Sequence, residues 1–285
     1  MAESTAAVKK ETIITSKKKW FDFQWKELWN ARELIFRFVH RDFVSGYKQT
    51  ILGPFWFIVP PLMTTVVYTF IFGQVAKIPT DGAPQFLFFM PGVILWGYFS
   101  SCLLRTSNTF AGSAGLFGKV YFPRLTVPLS ILTSNLLTLG IQIVIFFVVF
   151  LCYYLKGAVA LPNLWILTLP LLVLTLAILG LGVGSFVSSL TTYYRDFAMI
   201  VSFGVQLWMY GSCVMYPFSQ VPESLRWIIA LNPVAPIIEW WRYACFGKTS
   251  MNPAYLGLSV ITTLIICCIG MVIFRRMENT FMDTV

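Results

Sequence analysis

Residues 41–61 read RDFVSGYKQTILGPFWFIVPP, and this stretch changes character along its length. It opens with charged residues that suit water and closes inside an uncharged apolar run. Arg41 and Lys48 suit the depth of lipid headgroups. Gly53-Pro54 then breaks the incoming helix where the uncharged run begins. Proline fits the first turn of a new helix, because its missing N–H would have no partner there. The stretch therefore predicts a chain that lies along a membrane, turns at Gly53-Pro54 and enters it.

The composition agrees. Of 285 residues, 57% are hydrophobic and 12% are charged. A soluble domain carries about 25% charged residues, so the deficit points to an integral membrane protein. The six cysteines (102, 152, 213, 245, 267, 268) are scattered through apolar runs without ligand spacing, which suits packing as small hydrophobes. The first nineteen residues are polar, so no cleavable signal peptide is expected, and residues 1–19 read as a disordered cytoplasmic segment.

Upstream of the break, residues 20–53 read as an interface segment. Leu28, Ala31, Ile35, Phe38, Val39 and Phe43 recur at three- and four-residue steps and share one helical face. Lys26, Arg32, Arg37 and Arg41 add cations, the pattern of an amphipathic helix on an anionic leaflet.

Downstream, residues 54–285 read as the membrane domain, with six spans at 54–75, 86–104, 127–153, 164–190, 197–216 and 255–274. The first has length for roughly 33 Å of helix, against a hydrocarbon core of ~30 Å. In the fourth, Gly180, Gly184 and Ser188 stand four apart and predict a seam for close helix packing. Between spans five and six, Pro222–Asn232 and Pro236–Phe246 predict two helices too short to cross, re-entrant or external, with their loops buried in protein. The alternative is one kinked crossing over 221–246, giving seven spans. With six spans, sixteen of the 21 Lys and Arg fall on the side of the termini, ten of them within residues 1–53. The other five are Lys77, Lys156, Arg226, Arg242 and Lys248. Both termini are therefore expected in the cytoplasm.

The span cores hold no Asp, Glu, Lys, Arg or His. Ion-coupled transporters place such groups at membrane depth, so their absence argues against ion coupling. One histidine, His40, excludes a histidine metal cluster, and no metal site is expected. No phosphate-binding glycine loop occurs, so any uphill transport needs a partner's energy. Tyr68, Phe72, Trp96, Tyr98, Phe99, Trp208 and Tyr210 lie in or near spans one, two and five. Aromatic rings stack on sugars, so the set suits a glycan path; each alone also suits interfacial anchoring or lipid-facing packing.

From about Glu33 onward the chain resembles the permease subunits of ABC-2 type polysaccharide exporters, the O-antigen and teichoic-acid exporter family. The resemblance rests on the opening stretch, on KVYFPRLTVPLS at 119–130, on YYRDF at 193–197 and on MYPFSQVPESLRWIIALNPVAPIIEWWR at 215–242. It implies two copies of this chain with two ATPase subunits in the bacterial cytoplasmic membrane, exporting a glycan on a polyprenyl pyrophosphate lipid. ATP and Mg would be bound by the partner ATPase, with no cofactor in this chain, no catalytic residues and no nucleic acid partner. Lys119, Tyr121, Phe122, Pro123, Arg124, Tyr194, Arg195 and Asp196 would couple to the ATPase. Arg41, Lys48, Lys119 and Arg124 would meet pyrophosphate or anionic lipid, or serve only positive-inside topology. Glu223, Arg226, Glu239 and Arg242 would stand at the external mouth. The competing readings are a membrane-bound glycan-processing enzyme and an ABC-2 permease for a drug or small lipid.

Overall fold

A computed structural model describes residues 25–117, 122–194, 196–248 and 251–284. Among the described residues the fold is all helical, without strands. Five helical stretches are long and apolar enough to cross a bilayer: Gly53–Val75, Gln85–Ser107, Thr126–Leu155, Leu164–Thr192 and Ala254–Met277. The chain is a multi-pass membrane protein.

Two short amphipathic helices lead in, α1 (Trp25–Asn30) and α2 (Arg32–Ser45). The predicted apolar face is turned into protein. Leu28, Phe38 and Val39 are buried, while Arg32, Arg37 and Arg41 are exposed. Phe38 and Leu34 pack on Val127 and Ile131 of α6 (Thr126–Leu155). This helix is thus seated on the bundle, with Trp29 and Phe36 left exposed.

The predicted break is present: Gly53 takes a left-handed φ of 54°. The first span then comes in three pieces, a 3-10 turn at Gly53–Phe57, α3 (Val59–Tyr68) and a π-helical end at Thr69–Val75. Pro60 and Pro61 cannot donate, which breaks the run between the first two pieces. In the third, Gln85 Nε2 donates to Gly73 O at 3.0 Å, so the second span ties down the π turn.

The next helices are α4 (Gln85–Ser107), α5 (Thr109–Phe117), α6 and α7 (Leu169–Tyr193). α4 forms the centre and is buried along most of its length. The small-residue seam of α7 faces it: a Cβ on Gly180 would lie 2.9 Å from Cys102 Cβ, and one on Gly184 2.6 Å from Thr106 Cβ. Ser188 Oγ accepts the Phe110 N–H at 3.4 Å. On its other side, α7 meets the last helix, α11 (Ala254–Thr284), backbone to backbone. A Cβ on Gly182 would lie 2.6 Å from Cys267 Cα, and one on Gly270 would overlap Gly182 O. Lipid is as apolar as leucine, so such close approach supplies the attraction that hydrophobicity cannot.

The expected fifth span is shorter than read. α8 (Phe197–Tyr210) has 14 residues, roughly 21 Å of helix. Residues 211–217 leave the helix, and Cys213 takes a φ of 53°. The two short helices follow, α9 (Glu223–Leu231) and α10 (Val234–Phe246). Proline and Asn232 bound them, as the sequence predicts, although α10 begins two residues before Pro236.

Candidate functional site

Three places carry polar or aromatic groups with work beyond packing. The first is the surface where α2 meets α4 and α6. Arg105, expected in a loop, sits on the last turn of α4. Its Nη2 reaches Asp42 Oδ2 of α2 at 3.3 Å, and its Nη1 donates to Asn135 Oδ1 of α6 at 3.1 Å. Arg41 grips the other oxygen of Asp42 at 2.8 Å. Three helices are thus joined through one carboxylate and one guanidinium. Nothing in the local sequence announces the pairing, because its members lie 63 and 30 residues apart.

Phe122 lies half-buried on the same surface, edge-on to Phe38 with ring centroids 6.0 Å apart. Pro123 is half-buried, and Arg124 is buried with its guanidinium 6.0 Å from the Phe110 ring. Lys48, Tyr194 and Asp196 are exposed. Lys119, Tyr121 and Arg195 lie outside the described residues. The described residues among those expected to couple therefore divide: Phe122 and Arg124 are held by the bundle, and Tyr194 and Asp196 face outward.

The second place is a cleft of about 300 Å³ among α3, α4, α6 and the end of α8. Pro60, Pro61, Tyr68, Trp96, Ser101 and Gln142 are among its lining. Gln142 Nε2 donates to Phe57 O at 3.0 Å, satisfying a carbonyl left open by the broken first span. Tyr68 donates to Met209 Sδ at 3.6 Å and sets its ring against Phe72 at 5.4 Å. Trp96 and Phe99 both meet Trp208, at 6.4 and 5.1 Å. The predicted aromatic set is thus partly assembled. Phe99 and Tyr98 are buried among side chains of this chain, and Tyr210 is exposed on α8 and is not among the residues that line the cleft.

The third place is the segment after α8, where a helix end leaves carbonyls without intrahelical donors. Side chains supply those donors. Tyr216 Oη donates to Tyr210 O at 2.7 Å, and Asn232 Nδ2 donates to Gly211 O at 2.8 Å and Ser212 Oγ at 2.9 Å. Asn232 Oδ1 in turn accepts from Trp208 Nε1 at 3.0 Å and the Val234 N–H at 3.1 Å. Arg242 serves the following carbonyls, with Nη1 on Cys213 O and Nη2 on Val214 O, both at 2.7 Å.

Of the four residues expected at an external mouth, Glu223 and Arg226 are a loose, partly exposed pair at 3.5 Å. Glu239 and Arg242 are instead buried and paired at 2.9 Å. Their charge turns inward because the open carbonyls, and not solvent, need it. Sequence reasoning read Asn232 only as a helix stop; the Asn-Pro signal marks the stop but not the four hydrogen bonds. Among the described residues no three metal-ligating side chains come together.

An O-antigen export system permease protein RfbA of Klebsiella pneumoniae is 29% identical over 255 residues, covering 88% of this chain and 94% of that protein. RfbA of Myxococcus xanthus is 27% identical, over 89% and 96%. The polysialic acid transport protein KpsM of Escherichia coli is 24% identical, over 86% and 93%. Residues 33–246, which include α2 from its second residue, the cleft and the carbonyl network up to Arg242, match the ABC-2 type transporter family, and the chain belongs to that membrane family.

Proposed function

We propose that the chain is the permease half of an ATP-driven exporter that carries a polyprenyl-pyrophosphate-linked polysaccharide across the bacterial cytoplasmic membrane. Near full-length similarity to permeases named for O-antigen export carries the reading. The uncharged span cores support it, since they leave a separate ATPase as the energy source. Two copies of the chain would assemble with two ATPase subunits, which bind ATP and Mg. The cleft beside Tyr68 and Trp96 offers sugar-stacking rings next to hydrogen-bonding groups.

Six crossings fit this assembly. α8 alone is short, but residues 211–217 extend it, and the hydrogen bonds from Asn232, Tyr216 and Arg242 make such irregular backbone tolerable at membrane depth. α9 and α10 are then the re-entrant pair, with both termini cytoplasmic. Cysteines placed at Gly82 and Asp283 test this topology. A membrane-impermeant maleimide should label the first from outside and the second only from inside; outside labelling at Asp283 supports seven crossings.

The export reading is tested in vesicles holding the chain and its ATPase. The pair should move a polyprenyl-pyrophosphate-linked glycan in an ATP-dependent way, and the chain alone should hydrolyse no ATP. ATP turnover by the chain alone, or export of small lipids but no glycan, overturns the reading.

Coupling is proposed to enter through 119–124 and 194–196, with Arg41 and Lys48 meeting anionic headgroups. Because Phe122 leans on Phe38, force on this loop reaches α2 directly. Phe122→Ala and Phe38→Ala should each lower glycan export per ATP hydrolysed, by about fivefold if ~1 kcal/mol of ring contact is lost. Wild-type export and ATPase association in both variants would make Phe122 an anchor only.

A further inference from the structure

The Glu239–Arg242 pair belongs neither to the cleft nor to the surface at α2. Arg242 is 2% exposed, yet it is fully engaged. Its Nε donates to Phe88 O on α4 at 3.1 Å, and its Nη atoms hold Cys213 O, Val214 O and, at 3.4 Å, Tyr216 O. Its guanidinium lies over the Phe88 ring at 3.9 Å. Glu239 balances the charge and accepts the Phe218 N–H at 3.3 Å. Gly92 is what lets the pieces close. A Cβ there would lie 3.0 Å from both Arg242 Nη2 and Val214 O. One side chain of α10 thus holds the outer part of α4 and the uncoiled end of α8 together.

α9 is tied differently. Leu225, Trp227, Ile228 and Leu231 are exposed. Non-helical residues bound it on both sides, and a groove of about 530 Å³ separates it from the loop at residues 76–79.

We propose that Arg242 is a positioning residue for export. It welds α4, residues 211–217 and α10 into one block that stays closed through the transport cycle, while the exposed face of α9 lies outside that block. The proposal rests on the export reading for its cargo, but the block itself is tested without cargo.

Native Cys213, fully buried beside the guanidinium, is the reporter within the block. Leu225→Cys supplies a reporter on α9. The assembled complex in vesicles is treated with a maleimide, with and without ATP turnover, and labelled positions are read by peptide mass spectrometry. During turnover Leu225→Cys is expected to label while Cys213 stays unlabelled. Arg242→Gln should raise Cys213 labelling and lower export per ATP hydrolysed, each about tenfold, and Arg242→Lys should recover part of both.

Labelling of wild-type Cys213 during turnover, at a rate matching Leu225→Cys, overturns the proposal. So does an Arg242→Gln complex that exports like wild type. Should Arg242→Gln fail to assemble, the comparison of the two reporters under turnover decides alone. Failure of the export reading shows separately, as absence of glycan transport in the wild type.

Discussion

Gly270→Leu is expected to abolish accumulation of folded protein. At the α7–α11 crossing a Cβ on Gly270 would overlap Gly182 O, and its nearest obstacles are all backbone. A side-chain neighbour could rotate away; a helix backbone can move only with the whole helix. Extra methylenes in a packed core ordinarily cost about 1–3 kcal/mol, and a site without relaxation exceeds that range. A loss above ~3 kcal/mol is a large part of the roughly 5–15 kcal/mol that holds a domain folded. Gly140→Leu is the matched control, because no heavy atom outside its own helix lies within 4 Å of a Cβ there. The yield of monodisperse protein in detergent and its melting temperature should collapse for Gly270→Leu and stay near wild type for Gly140→Leu. Equal behaviour of the two would remove the crossing as a determinant of the fold.

Asn232→Asp should carry the second large penalty, although it changes a single atom. The amide nitrogen donates to Gly211 O and Ser212 Oγ. A carboxylate oxygen in its place has nothing to donate and faces the Gly211 carbonyl. Two lost bonds, at about 1–3 kcal/mol for each partner left buried and unsatisfied, predict a cost near 3 kcal/mol. Ser212→Ala removes one acceptor of the Asn232 amide and the hydroxyl's own bond to Trp208 O, a carbonyl that keeps the Gly211 N–H, and should cost about 1 kcal/mol. Amide hydrogen exchange across residues 205–221 checks both. Protection should fall most for Asn232→Asp and only slightly for Ser212→Ala. Unaltered exchange in Asn232→Asp would mean that Tyr216 and Arg242 hold the end of α8 without it.

These two positions also mark how far the sequence can be read. The seam of Gly180, Gly184 and Ser188 was legible because four-residue spacing of small side chains has one purpose on a membrane helix. The break at Gly53-Pro54 was legible for a similar reason, since glycine and proline announce their backbone geometry locally. Gly182 and Gly270 were not legible as a pair, because proximity between distant glycines leaves no spacing to detect. The carbonyl network was hidden for a different reason. Arg242 and Asn232 recognise backbone oxygens, which every residue carries, so the partner has no signature. The aromatic path was half legible. Composition marked the rings, but only the packing of the helices decides that Tyr68 and Trp96 line the cleft and that Phe99 does not. The shortening of α8 escaped because residues 211–216 are as apolar as a helix interior, and only their hydrogen bonds show that they are not one.

The α7–α11 contact also orders events during synthesis. Gly182 leaves the ribosome about 90 residues before Gly270, a delay of roughly 4–18 s at about 5–20 residues per second. Through that interval α7 can settle on α4, whose sequence is already complete, while its opposite face has only lipid against it. Helix α11 therefore arrives as a closing piece for a bundle whose other described helices are already made. A ribosome stalled before Ala254 leaves the Gly182 groove open in the bilayer, where membrane quality-control proteases find unpacked helices. Packing of α11 on α7 is thus the step that closes the Gly182 groove.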